Sequence, residues 1–327
     1  MISVVIPCRN DLPLLQKVID NLCADLDESS FEIIVVDDGS VKSNGQLQNI
    51  SKEDFNHSNI RVINNGQSFG VGYAFDRGVS EARGDIIVIA GCDVFTRKGK
   101  WLEGVKNSVK QDEIGCAASV GLKPDNLDLD QEGRYVRYGA DLLFVVDNDD
   151  LPRNSLLRQV RGGYAALFEA KWLPRQGNEP YEIPCLLGAF YFTTREFYDK
   201  IHGWDTEKDV RFQGHQGWGS LEPYLSLKTE IYGGKLRVYP DFEVGHVFGR
   251  LPNGARSNRP DLHWFNRLFM VHTMTEDPLK SELLNYPHTD FAFNKAKEYI
   301  KDNWNKVLRI KERNVRESKG LLMQKPY

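Results

Sequence analysis

Five side chains suited to chemistry on a polar ligand stand at the ends of apolar runs or at the start of a helix. Asp37 and Asp38 close EIIVVDD, Asp93 closes IIVIAGCD, His246 follows LRVYPDFEVG, and Glu222 follows Trp218-Gly219. In an open α/β sheet, ligands bind in the crevice outside the carboxyl ends of the strands. Two adjacent carboxylates at that edge can accept hydrogen bonds from a base or a ribose. Asp93 at the same edge can hold a hard divalent cation whose other ligands are diphosphate oxygens, and a neutral imidazole at 246 can complete that site. Glu222 reads as a general base or an acceptor-binding carboxylate in a cleft walled by Trp218. Each has an ordinary alternative. Asp-Asp-Gly-Ser is common turn chemistry, and an acid in the first turn of a helix is favoured by the macrodipole alone.

Gly70-Val-Gly72-Tyr-Ala-Phe75 nearly matches a dinucleotide fingerprint, with Asp93 about 20 residues on as the ribose acid would be. It is the main support for a nicotinamide oxidoreductase. Phe75 replaces the third glycine, whose role is close helix–strand packing, and the motif follows the third strand instead of the first. A nucleotidyltransferase would share the sheet and the metal carboxylates, but no Lys/Arg-rich triphosphate loop with a GxG stands near the N-terminus.

The elements that must position these groups are legible along the chain. Short apolar runs at 3–6, 32–36, 60–63, 85–90 and 115–120 alternate with helical patterns at 12–22 and 69–82, which is the signature of βαβ units and a mostly parallel sheet. The runs are near-continuous, as expected when helices cover both faces. Residues 121–182 read as a loop-rich, partly antiparallel insertion with alternation over 135–146. A second organised block over 183–246 holds helices at 195–201 and 221–231, a Gly233-Gly234 turn and a strand at 236–239. Residues 249–260 form a long loop suited to a lid, and 294–313 form a helix whose Ile300, Trp304, Val307 and Leu308 face the body.

The 327 residues suit one large α/β unit or two domains, and 41% hydrophobic with 27% charged residues is an ordinary globular mix. A net charge of −4 excludes a generally basic surface for nucleic acid or an anionic membrane. Charge is uneven, since residues 295–327 carry ten Lys/Arg against four Asp/Glu. That tail reads as a solvated helix face, with peripheral membrane contact the lesser reading. The five cysteines lack CxxC spacing, so no disulfide framework or zinc ribbon is expected, and a reducing, cytoplasmic setting fits. No apolar stretch approaches the ~18 residues of a spanning helix.

Taken in order, these motifs resemble the nucleotide-sugar glycosyltransferases of the A-type fold, family two and its relatives. The carriers are VVIPCRN, VVDDGS, the Gly-rich helix followed by EARGD, the strand ending in Gly-Cys-Asp, and the WG-helix-GG-strand block. The second half is similar to the polypeptide N-acetylgalactosaminyltransferases through Leu187-Gly188-Ala189, Trp218-Gly219, Gly233-Gly234 and Val244-Gly-His-Val-Phe248. The resemblance implies a Rossmann-like, mostly parallel central sheet flanked by helices, with a nucleotide-sugar half over 1–120, an acceptor-binding and catalytic half over 121–275 and a C-terminal helical extension over 276–327.

It also implies a UDP-sugar donor and Mn2+ (or Mg2+). Asp37 and Asp38 recognise uridine, Pro7 and Cys8 line the base, Gly70 and Trp218 bound the donor, and Arg250 meets the diphosphate. Asp93 and His246 ligate the metal, with Gly91 where the motif's first acid would stand. Asp147-Asn148-Asp149 is a rival metal motif, and Gly214-His-Gln-Gly217 shapes the acceptor pocket. Glu222 is the catalytic general base if the reaction inverts. The acceptor class is a glycan or lipid-linked sugar, with a peptide, a small molecule or a modified nucleobase open. A catalytically impaired donor-binding or scaffold protein is the main rival.

Overall fold

The computed structural model describes residues 1–42, 44–131, 134–146, 166–206, 219–247, 260–285, 291–318 and 320–324. Trp218, Arg250, Gly214–Gly217, Asp147–Asp149 and the 249–259 part of the expected lid lie outside the described residues.

The strands are β1 (Ile2–Cys8), β2 (Phe31–Asp37), β3 (Ile60–Asn64), β4 (Ile86–Ala90), β5 (Val94–Thr96), β6 (Glu113–Leu122), β7 (Val136–Arg137), β8 (Ala140–Val146), β9 (Ala166–Trp172), β10 (Tyr181–Glu182), β11 (Phe190–Thr194) and β12 (Lys235–Val247). Ten of them form one sheet, ordered β10-β12-β6-β11-β4-β1-β2-β3, with β5 on β12 and β7 on β6. The left half, β4-β1-β2-β3, is parallel throughout. β11 then enters antiparallel between β4 and β6, and β12 runs parallel to β6. β8 and β9 make a separate antiparallel ribbon, in keeping with the expected insertion.

Alternation along each strand divides the core. Val4 and Ile6 join one apolar cluster with Leu15, Val18 and Ile19 of α1 (Leu12–Cys23). Val5 joins the other with Ala74 and Val79 of α2 (Val71–Glu81). Side chains two apart share a face, so a fully apolar strand needs cover on both sides. The remaining helices are α3 (Trp101–Ser108), α4 (Arg195–Ile201), α5 (Leu221–Ile231), α6 (Pro260–Met274), α7 (Leu279–Asn285), α8 (Phe291–Asp302) and α9 (Trp304–Glu317). No described helix is long and apolar enough to cross a membrane.

Two expectations are corrected. The strand expected to stop at Tyr239 continues to Val247, because a register shift between Tyr239 and Glu243 accommodates Pro240, which has no N–H to donate. His246 therefore lies inside β12, opposite Gly121 of β6 and Val94 of β5, instead of just beyond a strand. The single helix expected over 294–313 is two, broken at Asn303. The break changes the buried phase: Ile300, Val307, Ile310 and Asn314 are buried, while Trp304 and Leu308 are 40% and 37% exposed.

The C-terminal helix is tied down by a buried ion cluster. Lys228 Nζ on α5 lies 2.8 Å from both oxygens of Asp205, and Arg313 of α9 donates to the same carboxylate. Asn314 donates to the Thr273 carbonyl at 3.1 Å. Removing one member of such a buried set strands the others' charge in a low-dielectric interior. Asp205→Ala, which leaves two cations unpaired, is expected to lower unfolding free energy by about 3–5 kcal/mol. Denaturant unfolding measures it, and the exposed pair of the N-terminus with Asp85 is the control, worth at most about 1 kcal/mol.

Candidate active site

The loops after β1 and β2 are clamped to each other at the carboxyl edge. The Asp38 N–H donates to the Cys8 carbonyl at 2.9 Å, the Asn10 N–H to Ser40 Oγ at 2.9 Å, and the Val41 N–H to Asn10 Oδ1 at 2.7 Å. Asp37 accepts from the Ser40 N–H at 2.9 Å. Burial pushes its carboxyl above the usual range, against the hydrogen bonds from Ser40 and the Ile50 backbone. Pro7 and Cys8 are buried beside it, opposite Val36 and Asp37.

Asp38 has a different position. Its Oδ1 accepts from Asn65 Nδ2 at 3.0 Å and the Phe69 N–H at 2.9 Å, and its Oδ2 from Ser68 Oγ at 2.7 Å and the Gly70 N–H at 2.9 Å. The carboxylate thus braces the segment that leads into α2 and binds the N–H of its N-cap, Gly70, at the end of the helix where an anion is favoured. Gly39 makes the approach possible: it sits at φ +72°, and a Cβ there would be 2.4 Å from the Gln67 backbone.

Two features depart from a dinucleotide site at the Gly70 motif. Asp38 sets a carboxylate against the Phe69 and Gly70 N–H groups, beside the place a pyrophosphate would approach. The close helix–strand contact is made by Gly78, whose Cβ would lie 2.3 Å from Val5 Cγ1, while Phe75 stacks on Trp204 at 5.0 Å.

Asp93 and His246 are brought together by the turn from β4 into β5 and by the β5–β12 ladder. Asp93 Oδ2 lies 3.2 Å from His246 Nε2, with the two side chains 26% and 18% exposed. The Val247 N–H donates to the Asp93 carbonyl at 3.1 Å. Two donors bound side by side at ~2.1 Å around an octahedral ion lie about 3 Å apart, so the pair fits a divalent cation. Gly91 leaves the room: a Cβ there would be 2.6 Å from Asp93 Oδ1 and 3.3 Å from Ala189 Cβ. Cys8 ends β1, and Cys92 lies in the turn after its neighbour β4. A hydrogen bond between those thiols, then burial, pushes the Cys92 thiol well up.

Glu222 stands in the first turn of α5, after Gly219 at φ 107° and Ser220 at φ 57°. A Cβ at Gly219 would collide with the His263 ring at 2.3 Å, and Asn266 Nδ2 donates to the Gly219 carbonyl at 3.1 Å. Tyr191 Oη donates to Glu222 Oε1 at 3.2 Å and accepts from the Ala189 N–H at 3.0 Å. Burial raises the Glu222 carboxyl above its ordinary range, opposed by the Tyr191 bond and by the nearby His246.

Tyr191 and Ala189 are contributors that sequence reasoning left without a role. Ala189 is left-handed at φ 61° beside Gly188 at φ 114°, a conformation that a non-glycine residue holds only under local constraint. Its carbonyl receives the Gly91 N–H at 2.9 Å. One residue therefore touches both the Asp93 turn and the tyrosine that holds Glu222.

Residues 3–135 match the family model described as Glycosyl transferase family 2. The chain is 24% identical over 238 residues to polypeptide N-acetylgalactosaminyltransferase 4 of Mus musculus, covering 69% of this chain and 36% of that protein. It is 25% identical over 294 residues to polypeptide N-acetylgalactosaminyltransferase 11 of Xenopus tropicalis, covering 85% and 43%. The chain thus spans less than half the length of these relatives. A crystal structure of GalNAc-T7 with UDP, GalNAc and Mn2+ superposes with a TM-score of 0.57 at 17% identity, covering 99% of this chain and 59% of that one. The chain accordingly has the A-type fold, its residues 3–135 match the glycosyl transferase family 2 model, and up to 85% of its length is similar to polypeptide N-acetylgalactosaminyltransferases.

Proposed function

We propose that this protein transfers a hexose or N-acetylhexosamine from a UDP-sugar to an acceptor hydroxyl in a Mn2+- or Mg2+-dependent reaction. The observation that carries the reading is the Asp93–His246 pair, 3.2 Å apart at the sheet edge, with the Glu222 carboxyl within electrostatic reach of the imidazole. The relatives named above for N-acetylgalactosaminyl transfer support the sugar class. Asp93 and His246 would hold the ion, which when bound supplies positive charge against the diphosphate leaving group.

In this reading Asp37 accepts from the base, beside Pro7 and Cys8, and Asp38 recognises uridine by ordering the 65–70 loop and Gly70 around it. Trp218 walls the sugar and Arg250 meets the diphosphate, on the strength of their sequence motifs. Glu222 accepts from the acceptor hydroxyl. In an inverting course it removes that proton; in a retaining course the proton passes to the departing phosphate oxygen and Glu222 only positions the acceptor. A glycan or lipid-linked sugar is the proposed acceptor, in the cytoplasm.

Asp93→Ala and His246→Ala are each expected to abolish manganese-dependent UDP binding in calorimetry while leaving the fold intact. Normal UDP affinity with saturating manganese in both variants contradicts the metal assignment. Gly91→Ala, which crowds Asp93 Oδ1 most closely and Ala189 Cβ next, should weaken that binding about tenfold, the scale of a disturbed ligand orientation.

Glu222→Gln should lower turnover by at least about 10²-fold if the carboxylate takes the proton, with donor affinity kept. Because the folded protein holds this carboxyl protonated to higher pH than a free Glu, wild-type rate should rise as pH passes through the elevated value. The variant should lack that limb. A retained limb assigns it to another group.

A further inference from the structure

At the opposite edge of the sheet, where β2 and β3 begin, a second group of ligating side chains has no part in the reaction proposed above. Cys23 ends α1, Glu28 opens the 3-10 turn before β2, and His57 precedes β3. One ligand atom from each lies within 4.8 Å of the others. β2 has seven residues, so this cluster and the Asp37 edge are separated by roughly 20 Å of strand at ~3.3 Å per residue.

The surroundings orient each ligand. His57 Nε2 meets Asp20 Oδ1 at 3.0 Å, and Nδ1 faces Glu28 Oε1 at 2.6 Å. Ser58 fixes the other Glu28 oxygen, Oε2, through its N–H at 2.8 Å and its hydroxyl at 2.7 Å. The buried Cys23 thiol has Asn59 Oδ1 at 3.9 Å. A carboxylate accepting the distal ring N–H of a histidine, with the other nitrogen aimed at further donors, is the outer arrangement that metal-ligating histidines have.

We propose that Cys23, Glu28 and His57 form a zinc-type metal site, with Asp20 fixing the His57 ring. The donor set is one thiolate, one imidazole and one carboxylate, which selects Zn2+ or Co2+ over the hard ions Mg2+ and Mn2+. The His57 and Glu28 side chains are 17% and 29% exposed, leaving an open side for water as the fourth ligand. Bond lengths of 2.0–2.3 Å place tetrahedral ligands about 3.3–3.8 Å apart. Seating the ion therefore requires the Glu28–His57 contact to open by about 1 Å and the sulfur to close in. On binding, the ion replaces the proton shared by His57 Nδ1 and Glu28 Oε1, and the Cys23 thiol proton also leaves for solvent. His57 keeps its Nε2 proton on Asp20. The site ties α1, the turn before β2 and the approach to β3 together, so the ion is a structural clip.

The test is titration of the chelator-treated full chain with Co2+ and Zn2+. One equivalent of Co2+ should give a thiolate-to-cobalt charge-transfer band in the near ultraviolet, which Zn2+ bleaches. Cys23→Ser should abolish the band, and His57→Gln and Asp20→Asn should each weaken cobalt binding by about tenfold or more. Asp93→Ala should leave the band unchanged, separating this site from the one proposed at the donor edge. A wild-type protein without the band, or a band that survives Cys23→Ser, overturns the proposal. Far-ultraviolet circular dichroism checks each variant's fold. Should Cys23→Ser not fold, unchanged cobalt affinity in His57→Gln overturns it alone.

Discussion

The hydrogen bond from the Gly91 N–H to the Ala189 carbonyl, 2.9 Å long, is the joint on which the two sides of the candidate site depend. It exists because β11 enters antiparallel beside β4, with Phe190 opposite Ala90. On one side it fixes the turn that aims Asp93 at His246. On the other, the same Ala189 offers its N–H to Tyr191, whose hydroxyl holds Glu222. A shift of β11 by one residue would exchange the faces of Phe190 and Tyr191 and separate the two carboxylates' supports together. The left-handed backbone at Gly188 and Ala189 is where that constraint is concentrated.

Charge is arranged with equal economy at the nucleotide edge. A near-neutral chain has no broad positive field for an anionic donor, so attraction must be local. Asp38 already places a negative charge just before the N-terminus of α2, on the Phe69 and Gly70 N–H groups. The edge therefore offers a buried Asp37 beside a braced loop, and in the proposed reading the ion held by Asp93 and His246, with Arg250, supplies the local positive charge.

What the sequence made legible follows from the range of the interactions. β1, β2 and β4 carry near-continuous apolar runs because both faces are covered, and α1 carries its buried residues at helical spacing; these are local signals. The order of motifs was legible too, since Asp93 and Glu222 each sit at an element end and His246 one residue before the end of β12. Other features depend on distant pairing and left no local mark. Pro240 reads as a strand terminator, yet the register shift beside β6 carries β12 on to His246. Asp38 reads as a free carboxylate until residues 65–70, some thirty positions on, fold against it. Tyr191 meets Glu222 across 31 positions. The break at Asn303 turned Trp304 and Leu308 outward because a face drawn on one helix loses phase when the helix is interrupted.

The central claim is that the pair at the sheet edge serves sugar transfer, and its most direct measurement is release of nucleoside diphosphate from a panel of UDP-, GDP- and TDP-sugars with manganese or with EDTA. The account expects UDP release from a UDP-hexose or UDP-N-acetylhexosamine with manganese, lost with EDTA and lost in Asp93→Ala, with mass spectrometry finding the sugar on an acceptor. No release from any donor in the presence of manganese, with UDP still bound, would contradict it and leave a donor-binding protein without transfer activity.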